Sequence, residues 1–124
     1  MVDKPQPVEP RVFVRGNPGR QGDQVPRQFL KILSGPDRKP FQKGSGRLEL
    51  AQQLSGRDNP LTARVFVNRA WAHLFGEPLV ATPSDFGVRT LPPANPALLE
   101  HLSASFMQQN WSIKKLLREM LLSS

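Results

Sequence analysis

The sequence contains no cysteine. That excludes a disulfide framework, thiolate metal ligation, a cysteine nucleophile and covalent c-type haem attachment within these residues, and it leaves the redox compartment open. Long apolar runs are missing too. No stretch approaches the roughly 20 consecutive apolar residues that cross a bilayer, and the opening MVDKPQPVEP lacks the apolar core of a secretory signal. A soluble chain without a transmembrane segment is expected, and 124 residues set one compact domain as the ceiling.

Catalytic motifs are equally scarce. There is no Gly-x-Ser-x-Gly to present a nucleophile and no His-Glu-x-x-His to place two ligands on one helical face. His73 and His101 fall on different predicted helices, so a metal site completed by Glu100 or Asp85 is the weaker reading beside ordinary hydrogen-bonded histidines. Asp85-Phe86-Gly87 spells the metal-binding tripeptide of protein kinases, but the glycine-rich loop, strand lysine and catalytic loop are absent. A turn in which Asp85 accepts backbone hydrogen bonds explains it better. The sequence therefore leans away from an enzyme.

What is present is unevenly distributed. Met1 to Arg47 holds ten Lys/Arg and four Asp/Glu, hence +6, whereas Leu48 to Ser124 holds seven and six, hence +1. The first segment also has seven of the 13 prolines and six of the nine glycines, a composition that struggles to bury enough apolar surface to fold. Residues 1–44 thus read as an extended basic arm, partly ordered, and 45–124 as a helical domain. Within the arm, Arg11-Val-Phe-Val-Arg15 is β-prone and closed by Gly16, which predicts one short strand in need of a partner. Pro26 to Leu33 spaces Phe29, Ile32 and Leu33 for a short helix.

The fold expected beyond the arm is mainly α, a small bundle with helices near 46–55, 60–75, 96–109 and 112–122. Ser45 is placed to cap the first, with Leu48, Ala51 and Leu54, or Leu50 and Leu54, sharing an inward face. Lys43-Gly-Ser-Gly46 before it could also bind an anion, but capping is the preferred reading. Asn59-Pro60 starts the second helix and Gly76 ends it, with Leu61, Val65, Trp71, Ala72 and Phe75 on one apolar side and Val67, Ala70 and Leu74 extending apolar coverage around another, which predicts a mostly buried helix. Residues 77–94 are too rich in proline for regular structure, yet Leu79, Val80, Phe86, Val88 and Leu91 predict a packed loop. Asn95-Pro96 and Ser112 cap the last two helices, which form an αα-hairpin with Trp111 over the joint.

An arginine on a mostly buried helix must find a carboxylate or carbonyls to offset desolvation. The cluster singled out on that ground is Arg64, Asn68, Arg69 and Trp71 on the second helix together with Asp85, the expected partner of the arginine. A structural ion pair is preferred there to an anion-binding pocket walled by Trp71. A second candidate surface, for polyanions including nucleic acid, is the set Arg11, Arg15, Arg20, Arg27, Lys31, Arg38, Lys39, Lys43 and Arg47. Its weakness is the shortage of aromatic rings for stacking, with only Phe13, Phe29 and Phe41 interleaved.

Several strings in order, Gly44-Ser-Gly-Arg-Leu48, Asn59-Pro-Leu-Thr-Ala-Arg64, Asn68-Arg-Ala-Trp71, Phe75-Gly76, Thr82-Pro-Ser-Asp-Phe-Gly87 and Asn110-Trp-Ser112, resemble the planctomycete cytochrome-associated domain of unknown function. The resemblance covers about Val12 to Ser124. It implies a domain near the C-terminal side of a large extracytoplasmic protein, often beside cytochrome c-like segments, with no established activity. Three departures are visible: Asn95 stands where the family has a His before the proline, Glu100-His101 where it has an acidic-Trp pair, and its aromatic-Arg stretch does not follow Ser124. The last of these implies a fragment whose final apolar stripe is open to self-association. Any haem would belong to other segments of the parent protein. The expected function is a non-enzymatic helical module that packs against the remainder of that protein or another one, with polyanion binding by the arm as the alternative.

Overall fold

Val12 and Phe13 crowd their own backbone and favour an extended chain, and in the computed structural model, which describes residues 7–123, they lie in a strand. β1 (Arg11–Phe13) pairs antiparallel with β2 (Gln21–Gln24), with a register irregularity between Arg11 and Phe13. The hairpin tip is a single 3-10 turn, Val14–Gly16, in which Arg15 (φ 53°) and Gly16 (φ 75°) are both left-handed. The amide of Val14 donates to the carbonyl of Arg20 at 2.9 Å and closes it.

The helix predicted from Pro26 to Leu33 is corrected to a single turn, α1 (Lys31–Ser34). Tertiary bonds hold the earlier residues extended. The Arg27 amide donates to Glu9 Oε2 at 2.8 Å, its carbonyl accepts from the Phe41 amide at 2.7 Å, and Gln28 bridges Pro40. Neither polar group of Arg27 is left for a helical ladder.

α2 (Arg47–Leu54) starts one residue later than predicted, because Gly46 and not Ser45 occupies the cap position, at φ 79°. A Cβ on Gly46 would lie 2.7 Å from Cδ2 of Phe41, so the buried ring and the left-handed backbone both require glycine here. The inward face expected of Leu48 and Leu54 does not form. Both are exposed, since Phe29 and Phe41 supply the apolar interior of this part and a two-turn helix brings no second layer to cover the leucines.

The described residues gather into two compact units divided between Asn59 and Pro60, where length alone allowed for one domain and composition placed a boundary at 44/45. The hairpin, α1 and α2 belong to the first. The second unit contains α3 (Pro60–Phe75), α4 (Pro96–Gln108) and α5 (Ile113–Leu122), making the whole mainly α. α3 and α4 pack along each other, and α5 folds back on α4.

α3 ends where predicted, at Gly76 (φ 89°), whose amide donates to the Ala72 carbonyl at 2.9 Å. Of its two expected apolar sides, the one with Val67, Ala70 and Leu74 holds the deepest burial. Ala63, Val67 and Asn68 are buried, Leu61, Val65, Trp71 and Ala72 are half-buried, and Phe75 is exposed. Ala63 and Val67 share a buried apolar cluster with Leu99, Leu102 and Phe106 of α4, and Phe66 stacks on Phe106 with centroids 5.0 Å apart. In the following loop Leu79 and Val80 are buried and Phe86 is half-buried, but Val88 and Leu91 lie in solvent, so only part of the expected loop packing is present.

At the start of α4, Asn95 accepts from the Leu98 amide at 3.1 Å with Pro96 at the first helical position, as predicted. The α4–α5 corner is made by two consecutive left-handed residues, Asn110 (φ 55°) and Trp111 (φ 58°). The indole meets Phe106 edge-on at 5.2 Å. Ser112 stands at the cap position of α5, but its side chain makes no cap hydrogen bond, which corrects the expected role.

Candidate functional site

Asn68 is the most buried polar residue of the predicted cluster, with no solvent exposure. α3 aims it at the loop that follows, where Nδ2 donates to the Val80 carbonyl at 3.0 Å and Oδ1 accepts from the Val80 amide at 2.8 Å. Those two bonds satisfy a loop residue's backbone where burial closes it to solvent. They also leave Asn68 facing protein and not a pocket.

Arg64 does not meet Asp85. Its partner is Glu100 on α4, in a fork: Nε to Oε1 at 2.6 Å and a terminal nitrogen to Oε2 at 2.7 Å, with the other terminal nitrogen donating to the Pro60 carbonyl at 2.6 Å. The pairing lowers the Glu100 carboxyl below its usual range and raises the Arg64 guanidinium, in each case chiefly through the side-chain hydrogen bonds. The side chains are 31% and 56% exposed, so this is a partly solvated clamp between helices and not the buried pair that was expected.

Asp85 is exposed and satisfied locally: its Oδ1 accepts from the Gly87 amide at 2.8 Å. The hydroxyls of Thr82 and Thr90 both donate to the Asp85 carbonyl, at 2.7 and 2.8 Å, and touch each other. This turn closes on itself, which is why the carboxylate is not delivered to α3. Arg69 is exposed, and Trp71 packs on Phe75 at 4.3 Å. The structure thus gives Arg64, Asn68, Trp71 and Asp85 four separate tasks, leaves Arg69 exposed, and does not bring the five predicted residues together as one site.

A polar cluster that the sequence did not single out lies between α4 and α5. Glu119 Oε2 accepts from Ser105 Oγ at 2.7 Å and from Gln109 Nε2 at 3.0 Å, and Oε1 lies 3.2 Å from His101 Nε2. Gln109 Nε2 also donates to Ser105 Oγ at 2.8 Å. Serine, histidine and carboxylate are close here, yet the hydroxyl and the imidazole each face the acid and not each other, so the histidine is not positioned to activate the serine. Glu119 is the only acid in a helix with Lys114, Lys115 and Arg118, and that isolation was its signal in the sequence. Among the described residues no group of three or more His, Asp or Glu could hold a metal ion.

In the first unit, part of the basic set serves the fold. Arg27 forks onto Glu9, with Nε at 3.1 Å and a terminal nitrogen at 2.8 Å from Oε1, and donates to the Gly44 carbonyl. Arg11 reaches the Gly22 carbonyl and Arg38 the Phe29 carbonyl. Arg15, Arg20, Lys31, Lys39, Lys43 and Arg47 are exposed. The amides ahead of Gly44 that an anion might take already serve Glu49, whose carboxylate accepts from Gln42 (3.1 Å) and Lys43 (2.8 Å). Those backbone bonds lower the Glu49 carboxyl, as the Arg27 bonds lower Glu9.

Among the described residues no helix is long and apolar enough to cross a membrane. Residues 46–124 match the model of a family described as a protein of unknown function, DUF1553. The match covers well over half of the sequence, and the chain belongs to that family. Neither the curated proteins nor the solved structures contain a match.

Proposed function

We propose that this member of the DUF1553 family is a non-enzymatic helical interaction module within a larger, extracytoplasmic, cytochrome-associated protein of the planctomycete type. The observation that carries the reading is how the second unit spends its polar groups. Asn68 is consumed by Val80, Arg64 by Glu100, and Glu119 by Ser105, Gln109 and His101, while apolar side chains of α5 remain in solvent. Such a unit has surface to offer a partner and no assembled reactive group. Haem, if the parent carries it, is held elsewhere, because a chain without cysteine cannot form the thioether links of c-type attachment.

Hydrogen exchange on the complete parent protein tests this reading. The α5 amides should exchange more slowly in the parent than in the isolated chain, and equal exchange in both removes the module from the interface.

Polyanion binding by the first unit is the second reading, favoured by the exposure of Arg15 and Arg20 at either side of the hairpin tip and of Lys31, Lys39 and Lys43 beyond it. A titration with single-stranded oligonucleotide at increasing salt decides it. Affinity that falls steeply with salt supports the reading, and none at low salt ends it.

A further inference from the structure

α5 is only half covered. Leu116 and Met120 are buried, whereas Ile113 is 50% and Leu121 61% exposed, and these two lie with half-buried Leu117 at four-residue intervals along one line of the helix. At 100° per residue that line borders the buried face on one side and Lys114 and Arg118 on the other. The one carboxylate of the helix, Glu119, is turned to Ser105 and Gln109. The charged side chains of α5 that border the uncovered apolar line, Lys114 and Arg118, are therefore both cationic.

We propose that this stripe receives an acidic amphipathic helix of a partner protein, whose apolar residues cover Ile113, Leu117 and Leu121 and whose carboxylates oppose Lys114 and Arg118. The inference rests on the interaction-module reading and names its partner class. Charge selects the occupant. A second copy of the chain would bring its own +7 and the same basic flank against this one. A bilayer needs a wide apolar face, and the core already holds Leu116 and Met120, which leaves a strip too narrow to insert. A helix laid alongside needs only such a strip.

The test uses the full chain and two labelled synthetic amphipathic helices with identical leucine faces, one flanked by glutamate and the other by lysine, read by fluorescence anisotropy. The glutamate peptide should bind saturably and the lysine peptide should not. The double substitution Ile113→Ser with Leu121→Ser should weaken binding about tenfold or more, and Lys114→Glu with Arg118→Glu should transfer preference to the lysine peptide. All four positions are exposed, so the fold is retained. Equal binding of both peptides, no binding of either, sedimentation with anionic vesicles in place of peptide binding, or a concentration-dependent dimer abolished by the serine pair would each overturn the proposal. Failure here with α5 still protected in the parent protein removes the acidic partner and leaves the module reading standing.

Discussion

Asn68 holds Val80 by both of its backbone polar groups, at 3.0 and 2.8 Å, across twelve residues of sequence. One side chain here substitutes for a strand neighbour. It gives a proline-rich loop a fixed point in the core, and the aliphatic side chains of Leu79 and Val80 follow it inward.

Asn68→Leu should therefore cost more than a typical core substitution. It keeps an apolar body but strands a buried amide and a buried carbonyl, each worth about 1–3 kcal/mol when left unpaired. Both tryptophans lie in the second unit, so urea unfolding followed by indole fluorescence reports on it directly. A midpoint unchanged from the parent sequence would show that the loop finds another anchor.

Arg64 and Glu100 should couple weakly in a double-mutant cycle, by about 0.2–1 kcal/mol, because both are substantially solvated. Their pH dependence has a definite sign. The folded Glu100 carboxyl lies below its usual value of 4.5, so its contribution is complete above that pH and is lost as pH falls through the depressed folded value. Glu100→Gln should flatten the acid side of the stability profile of the second unit. The raised Arg64 guanidinium stays charged through the acid and neutral ranges and adds no pH dependence there.

Glu9 and Glu49 shift in the same direction in the first unit, through Arg27 and through the Gln42 and Lys43 amides. Acidification below about 4.5 should release the Lys43 and Gln42 amides to exchange before the α4 amides respond. Glu49→Gln should make those two amides fast at neutral pH, as read by amide exchange in NMR spectra.

Gly46→Ala and Gly16→Ala separate backbone strain from packing. Both residues have positive φ, but a methyl at Gly16 meets nothing within 4 Å, whereas at Gly46 it meets the Phe41 ring at 2.7 Å. Gly16→Ala should cost about 1 kcal/mol. Gly46→Ala should cost more and displace the Phe41 ring resonances, and equal effects at the two sites would mean that the ring yields freely.

Asn110→Gly should stabilise the α4–α5 corner by up to about 1 kcal/mol, since it relieves one of two left-handed residues. Trp111→Gly relieves the other, but it removes the edge contact with Phe106 and should lower the melting temperature, read through Trp71 fluorescence.

Much of the fold was legible where the signals were local. Asn95-Pro96, Gly76 and the spacing of apolar residues in α3 to α5 act through bonds and sterics within a few residues, and the elements appear close to where they were expected. The candidate site was less legible. The desolvation of an arginine on a mostly buried helix points to Asp85 as its partner, yet a short acid followed two residues later by glycine closes its own turn, and the acid that reaches Arg64 comes from α4, 36 residues away. The segment 26–33 shows the same limit, because Glu9 and Phe41 compete for the backbone of Arg27 and win over helical spacing.

The sequence by itself determined that the chain carries no cysteine chemistry, that its excess charge lies toward the start, and where its long helices begin and end. Composition and capping are properties of neighbouring residues. Only the tertiary structure decided that Glu100 neutralises Arg64, that Asn68 is an anchor and not a ligand, that Glu119 gathers Ser105, Gln109 and His101, and that one line of α5 stays uncovered. Those outcomes depend on how far each helix is rotated about its axis when it packs. Side chains from distant parts of the chain fix that rotation, and no local pattern specifies it.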